Sequence, residues 1–381
     1  MKRELERVEI PDEHEARVRA WQLVEAAFAE RVPQPRRTRP RARAAVALAV
    51  AAAIAAAVAS PPGRSVVTSI RERIGVESAA PSLFALPAPG RVLVSSPNGS
   101  WVVAADGSKR RLGAYSDAAW SPFGRFVVAA RRNELAALEP DGDVRWTLAR
   151  PQLGPFAWGG TRNDTRIVYA TGTRLHVVGG DGRGDEFLFS APDVPAAPIA
   201  WARGSRRVLA HATQGILRVL DAGAGGEEMW SATVPQPRFL AWTDDRARLV
   251  SLSRDILVVF DRNGRRLFRH ELAGRATAMS VRPNGHEVAI ALRLRGSTRS
   301  ELFVISLDRR DAPQRRLFGG AGTFSAVAWS PDTRWLLVAW TDADQWVFLR
   351  TRGAPRIAAA ANVAEQFDGV FPQVEGWCCA P

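Results

Sequence analysis

Two stretches far apart in the chain read alike: Ala119-Trp120-Ser121-Pro122-Phe123-Gly124-Arg125-Phe126-Val127-Val128-Ala129 and Ala328-Trp329-Ser330-Pro331-Asp332-Thr333-Arg334-Trp335-Leu336-Leu337-Val338. Each is a short apolar run closed by Trp-Ser-Pro, then a turn, then a second apolar run. Proline fixes its own φ and Gly or Asp tolerates unusual backbone angles, so the middle reads as a tight turn between two strands. Weaker copies surround Trp158, Trp201 and Trp242, and Ser280-Val281-Arg282-Pro283-Asn284-Gly285 carries Val281 in place of the Trp. The anchors at 120, 158, 201, 242, 281 and 329 are 38, 43, 41, 39 and 48 residues apart.

A period near forty with several short strands per unit is the signature of β-propeller blades. The second half of each unit agrees. Ile256-Leu257-Val258-Val259-Phe260 leads into Asp261-Arg262-Asn263-Gly264, and Ile216 to Asp221, Leu302 to Asp308 and Leu175 to Gly182 follow the same plan. The apolar runs are continuous rather than alternating, which suits strands covered on both faces. Residues 91–113 hold strand-like material with no anchor before it, whereas the C-terminus holds an anchor, Trp377, with nothing after it. The C-terminal strand is therefore expected to supply the inner strand of the first blade, which ties the ends together and removes sheet edges. The expected fold is an all-β propeller of seven blades over residues 90–381, with six blades as the alternative. Trp120, Trp158, Trp201, Trp242, Val281, Trp329 and Trp377 are its structural anchors.

The Trp-Ser-Pro-x-Gly repeat resembles the TolB-like, WD40-like bacterial propeller repeats over roughly residues 90–381. Only Trp120 and Trp329 carry the full Trp-Ser-Pro. A weaker likeness links Gly142 to Trp146, Gly226 to Trp230 and Gly264 to Phe268, each four residues on. That spacing resembles the Gly-x-x-x-Trp element of quinoprotein-type propellers and of the outer-membrane assembly scaffold, and it implies no quinone cofactor. Such repeats specify a fold and host many functions. The whole plan resembles membrane-anchored propeller proteins of high-GC bacteria.

Residues 1–43 read as a cytoplasmic helical head with an Arg-rich flank. Ala20, Trp21, Val24, Ala27 and Phe28 recur at helical spacing, so Trp21 and Phe28 are candidate contacts for a cytoplasmic partner. Arg36, Arg37, Arg39, Arg41 and Arg43 then precede an uncharged span, residues 44–63. About 20 residues of helix cross a ~30 Å hydrocarbon core. Arginines on one flank are the positive-inside signal, so the expectation is one transmembrane helix, N-terminus cytoplasmic, with the propeller outside the membrane. A cleaved export signal is the alternative at Ala57-Val58-Ala59, and a charged segment this long before the apolar core disfavours it. Residues 64–89 read as a juxtamembrane helix and a Pro/Ala linker.

The 381 residues are 46% hydrophobic and 24% charged, a globular balance that excludes wholesale disorder. The formal charge is +13, with Lys2 and Lys109 the only lysines. Residues 1–43 account for +3 and the remainder for +10. A basic surface outside the membrane attracts anionic headgroups or wall polymers before nucleic acid. Cys378 and Cys379 are the only cysteines, which excludes a disulfide-stapled scaffold and a Cys-built zinc site. They could form a vicinal disulfide, bridge two chains or remain thiols.

His14, His176, His211, His270 and His286 show no metal-ligand spacing, so no metal site is expected. No Gly-x-Ser-x-Gly occurs, and Gly179-Gly180-Asp181-Gly182-Arg183-Gly184 leads to a strand, which makes it a hairpin turn rather than a phosphate loop. No catalytic residue and no cofactor is assigned. Trp335, Trp340 and Trp346 break the anchor pattern, and at least one is expected to be exposed as a binding residue, since exposed Trp marks binding hot spots. The expected function is non-enzymatic binding of an extracytoplasmic protein, peptide or anionic polymer, with a sensing or regulatory role. The alternatives are an extracellular enzyme using the central channel and an envelope-assembly scaffold.

Overall fold

The computed structural model describes residues 85–379 other than 193, 195–197, 206–207, 224 and 312. The head, the apolar span and the juxtamembrane helix read from residues 1–84 lie outside the described residues. Among the described residues no helix is long and apolar enough to cross a membrane.

Seven four-stranded antiparallel sheets follow one another round a ring. The inner strands are Gln373–Cys378, Asp117–Trp120, Leu153–Gly160, Ile199–Trp201, Phe239–Trp242, Gly274–Val281 and Phe324–Trp329, for blades 1 to 7 in that order. Each touches the inner strand of the next, and blade 7 returns to blade 1. Blade 1 takes its inner strand from the C-terminus, with Val92 opposite Trp377 and Val94 opposite Val374. The ring therefore closes with seven blades. All seven anchors fall near the end of an inner strand.

The core is divided rather than central. Seven apolar clusters each fill one seam between neighbouring blades. The second strand of blade 7, Trp335–Trp340, is buried along its whole length because blades cover both its faces. Outer strands alternate instead, as in Glu227–Thr233. A buried Trp removes roughly 150–250 Å² from water, about 4–6 kcal/mol before entropy is charged against it. Anchors stack on small residues of the preceding blade. A Cβ on Gly159 would lie 1.9 Å from Trp201 Cγ, and the indole nitrogen of Trp329 donates to Ser280 O at 3.1 Å.

The residue after the anchor explains the Ser of the repeat. Ser330 Oγ accepts from the backbone N–H of Trp335 at 2.9 Å, and Ser121 Oγ accepts from Phe126 at 2.9 Å. Thr243 does the same for Arg248 at 3.0 Å. Each hydroxyl closes the turn that reverses the chain from the inner to the second strand. Three residues on, Gly124, Arg246 and Thr333 have φ of +65°, +61° and +61°, the left-handed step that completes the reversal.

Trp335, Trp340 and Trp346 correct the sequence expectation, since none is exposed: they are 6%, 0% and 4% accessible. They lie on the second and third strands of the last blade, which both neighbours cover. Trp340 packs edge-on against Phe318 and Phe324 and donates to Ala321 O at 2.7 Å. Trp346 packs on Phe367 at 5.4 Å between centroids.

Candidate functional site

Because all inner strands run the same way, their first turns gather on one face around one mouth of the channel. Six of these turns carry an arginine: Arg125, Arg162, Arg203, Arg246, Arg282 and Arg334. The turns interlock. The guanidinium carbons of Arg162 and Arg203, from blades 3 and 4, stand 4.9 and 5.2 Å from the ring centre of Phe123 in blade 2. Arg203 reaches Asp244 of blade 5 at 3.7 Å, and Asp244 accepts from the backbone N–H of Asn284 in blade 6 at 2.9 Å. Arg282 pairs with Glu287 at 2.6 Å and donates to Thr333 of blade 7 at 3.0 Å. Arg125 stands 5.4 Å over Phe126. Neither Arg125 nor Arg162 is ion-paired with a carboxylate among the described residues. A guanidinium held over an aromatic ring is positioned yet keeps its N–H donors for a ligand.

This collar continues into a crevice of about 550 Å³ at the seam of blades 2 and 3. Phe126 and Trp146 form its blade 2 side, and Arg162, Asn163, Thr165 and Asp181 line the other. Trp146 is fixed by donating to Gly180 O at 2.9 Å, and its ring lies where a Cβ on Gly182 would stand, 2.8 Å away. Trp230 meets Gly264 in the same way. The Gly-x-x-x-Trp spacing thus has a packing role: the Trp of one blade docks on the glycine turn of the next.

The channel holds the second feature. A cavity of about 270 Å³ is walled by inner strands of blades 5, 6, 7 and 1, including Met279, Val327 and Glu375. Ser95 donates its hydroxyl to Glu375. Burial pushes the Glu375 carboxyl up to about 8, the nearby Asp117 charge adds to the rise, and the Ser95 bond opposes it. Asp117, on the next inner strand, is also raised by desolvation, against the Ala118 backbone N–H. Water reaches Asp117 along the channel, yet protein encloses it on most sides. Near neutrality Glu375 therefore holds its proton, with the Asp117 carboxyl nearby on the next inner strand.

Neither feature was among the residues singled out in the sequence. The arginines were detectable, since one follows each of six anchors within five residues. Nothing in the sequence pairs Asp117 with Glu375, because only ring closure brings them together.

The histidines take separate places. His286 sits between Asp245 and Asp308 at 2.7 Å each, joining blades 5 and 6, and hydrogen bonding from Thr243, Ala247 and His286 holds Asp245 down to about 2 against its burial. His211 is buried edge-on to Phe189. His176 stacks on Tyr169. Cys378 and Cys379 are joined in a disulfide whose sulfurs pack on Gly124.

The fold and its turn face define a seven-bladed β-propeller with WD40-like structural neighbours. No family model matches the chain, and no curated protein matches it. Among solved structures it is similar to the Pan2 WD40 domain of Neurospora crassa, at 10% identity and TM-score 0.50, over 65% of this chain and 79% of that one. It is similar to a chain of a mitotic checkpoint complex at 16% identity and TM-score 0.54, over 73% and 98%. It is also similar to a putative 6-phosphogluconolactonase from Bacteroides fragilis at 14% identity and TM-score 0.50, over 73% and 95%. At these identities the likeness is one of fold.

Proposed function

We propose that this protein is a non-enzymatic binding propeller, anchored by residues 44–63, that presents its turn face outside the membrane to an anionic partner. One observation carries the reading: Arg162 and Arg203 are held on Phe123 at the channel mouth, with Arg162 free of any carboxylate among the described residues. Prearranged guanidinium donors bind carboxylate or phosphate with little ordering cost. The net positive charge of the chain beyond the head raises the encounter rate for polyanions. A protein or peptide partner with an acidic surface satisfies the same chemistry, as does an acidic wall polymer. The likeness to a chain of a mitotic checkpoint complex fits a partner-binding role. A TolB-like origin and a sensing role through Trp21 and Phe28 belong to the same reading.

The test is titration of the purified full-length protein with polyglutamate at low and high salt. Arg162→Ala combined with Arg203→Ala is expected to weaken binding about tenfold, near 1.4 kcal/mol. Unchanged affinity in the double variant sinks the reading.

A second reading has its own observation. Glu375 is a carboxyl that burial keeps protonated near neutrality, with Asp117 beside it on the next inner strand, the kind of group that performs acid–base chemistry. The likeness to a putative 6-phosphogluconolactonase is compatible with it. Turnover of any substrate that Asp117→Asn abolishes, with folding intact, would favour this enzyme reading over simple binding.

A further inference from the structure

The crevice between blades 2 and 3 differs from the rest of the collar in being a concave site that mixes both charge signs with aromatic walls. Arg162 and Arg145 bring guanidiniums and Asp181 and Asp164 carboxylates, with Asn163 and Thr165 as neutral hydrogen-bonding groups beside the rings of Phe126 and Trp146. Arg145 is paired with Glu139 at 3.2 Å and Asp164 with Arg166 at 3.3 Å, which leaves Arg162 and Asp181 as the charged groups without an ion-pair partner among the described residues. A ligand that is anionic throughout is attracted by Arg162 and repelled by Asp181. A ligand carrying one carboxylate and several hydroxyls suits both, because hydroxyls donate to a carboxylate while the acid group accepts from Arg162. The apolar faces of a pyranose ring suit aromatic walls. The volume, about 550 Å³, lies in the range of small-molecule sites and holds one or two sugar units rather than a folded partner.

The crevice is also built rather than incidental. Trp146 is locked by its bond to Gly180 O and by its contact with Gly182, and Phe126 is stacked on Trp158 at 6.4 Å between centroids with planes 12° apart. Asp181 is held in its turn by accepting from the backbone N–H of Arg183 at 3.1 Å. Walls fixed in this way lose little freedom when a ligand enters.

The geometry points to a subsite for a uronic acid unit of an acidic polysaccharide, its carboxylate on Arg162 and its hydroxyls on Asp181, Asn163 and Thr165. This rests on the anionic-polymer reading above and narrows it to a sugar. Asp181→Ala separates the two. Removing a negative charge strengthens any purely electrostatic anion binding, but it weakens a ligand whose hydroxyl the carboxylate accepts.

The experiment titrates full-length protein, wild type and variants, with trigalacturonate and separately with polyglutamate. Trigalacturonate is expected to bind, and to bind about tenfold more weakly to Asp181→Ala and to Asn163→Ala, while polyglutamate binds Asp181→Ala as tightly as wild type or more so. Asp181→Asn keeps an acceptor for the turn bond, so a weaker trigalacturonate affinity there as well shows that a collapsed turn is not the cause. Polyglutamate binding without trigalacturonate binding overturns the sugar subsite and leaves the broader reading standing. Failure of both probes removes the broader reading and the subsite with it. Trigalacturonate binding that rises in Asp181→Ala also overturns the subsite, since the attraction is then charge alone. So does a glycerol phosphate polymer that binds the crevice while trigalacturonate does not.

Discussion

Replacing Glu375 by Gln should make the propeller more stable at neutral and alkaline pH and flatten its pH dependence. In the folded chain the Glu375 carboxyl is pushed up to about 8 from an ordinary value of 4.5, first by burial and then by Asp117. Between those two values the folded state holds a proton that the unfolded chain has released. Stability therefore falls as pH rises through that window, and the full penalty is present only above about 8. At about 1.36 kcal/mol per unit of pKa, the whole rise corresponds to an upper bound near 5 kcal/mol. Channel water and relaxation of the pair with Asp117 reduce this, so about 2 kcal/mol is expected at pH 8.5, or roughly 3–6 °C in Tm. Gln keeps the shape and an acceptor for the Ser95 hydroxyl but carries no charge. The assay is thermal unfolding of full-length wild type and Glu375→Gln from pH 5 to 8.5. The curves should converge near pH 5 and separate progressively from there to about pH 8, with the variant higher. Parallel curves, or a variant that is less stable at pH 8.5, would show that Glu375 is not a buried carboxyl with a raised pKa.

Gly159→Ala should destabilise strongly, by about 3 kcal/mol or more, because the new methyl would overlap Trp201 and neither strand can retreat within a packed seam; urea unfolding reads this directly. Trp377→Ala should cost roughly 3–5 kcal/mol and lower the cooperativity of unfolding, because it empties the closing seam where Trp377 meets Phe348. Ser330→Ala should cost about 1–2 kcal/mol, since it leaves the buried N–H of Trp335 without its acceptor. Proteolysis at the turn of residues 330–334 is the finer readout for that variant.

The fold was legible because the repeat reports itself. Trp120 and Trp329 share their following Ser for a physical reason, the hydroxyl that closes the turn, so the two best copies pointed at the same piece of architecture. Val281 and Trp377 completed the ring of seven despite their departures from the motif. What could not be read was each strand's place within its blade. Trp335 and Trp346 sit beside charged or polar neighbours in sequence, as exposed residues do, but blade 7 places them on interior strands where both faces are covered. Site residues were harder still. Glu375 and Asp117 gain meaning only from closure between the two ends of the chain. Arg162 and Arg203 gain theirs from Phe123 in another blade. A pattern of one arginine after six of the seven anchors was present, but it is hidden in a chain whose basic residues are nearly all arginine.

The arginine collar is the centre of the functional account, and salt-dependent binding of a polyanion tests it most directly. Full-length wild type and the Arg162→Ala/Arg203→Ala variant would be titrated with polyglutamate at about 50 and 200 mM salt, where the Debye length shortens from roughly 14 to 7 Å. The expected result is wild-type binding that weakens with salt, and about tenfold weaker binding in the variant at the lower salt. Equal affinities for the two proteins at both salt concentrations would contradict it.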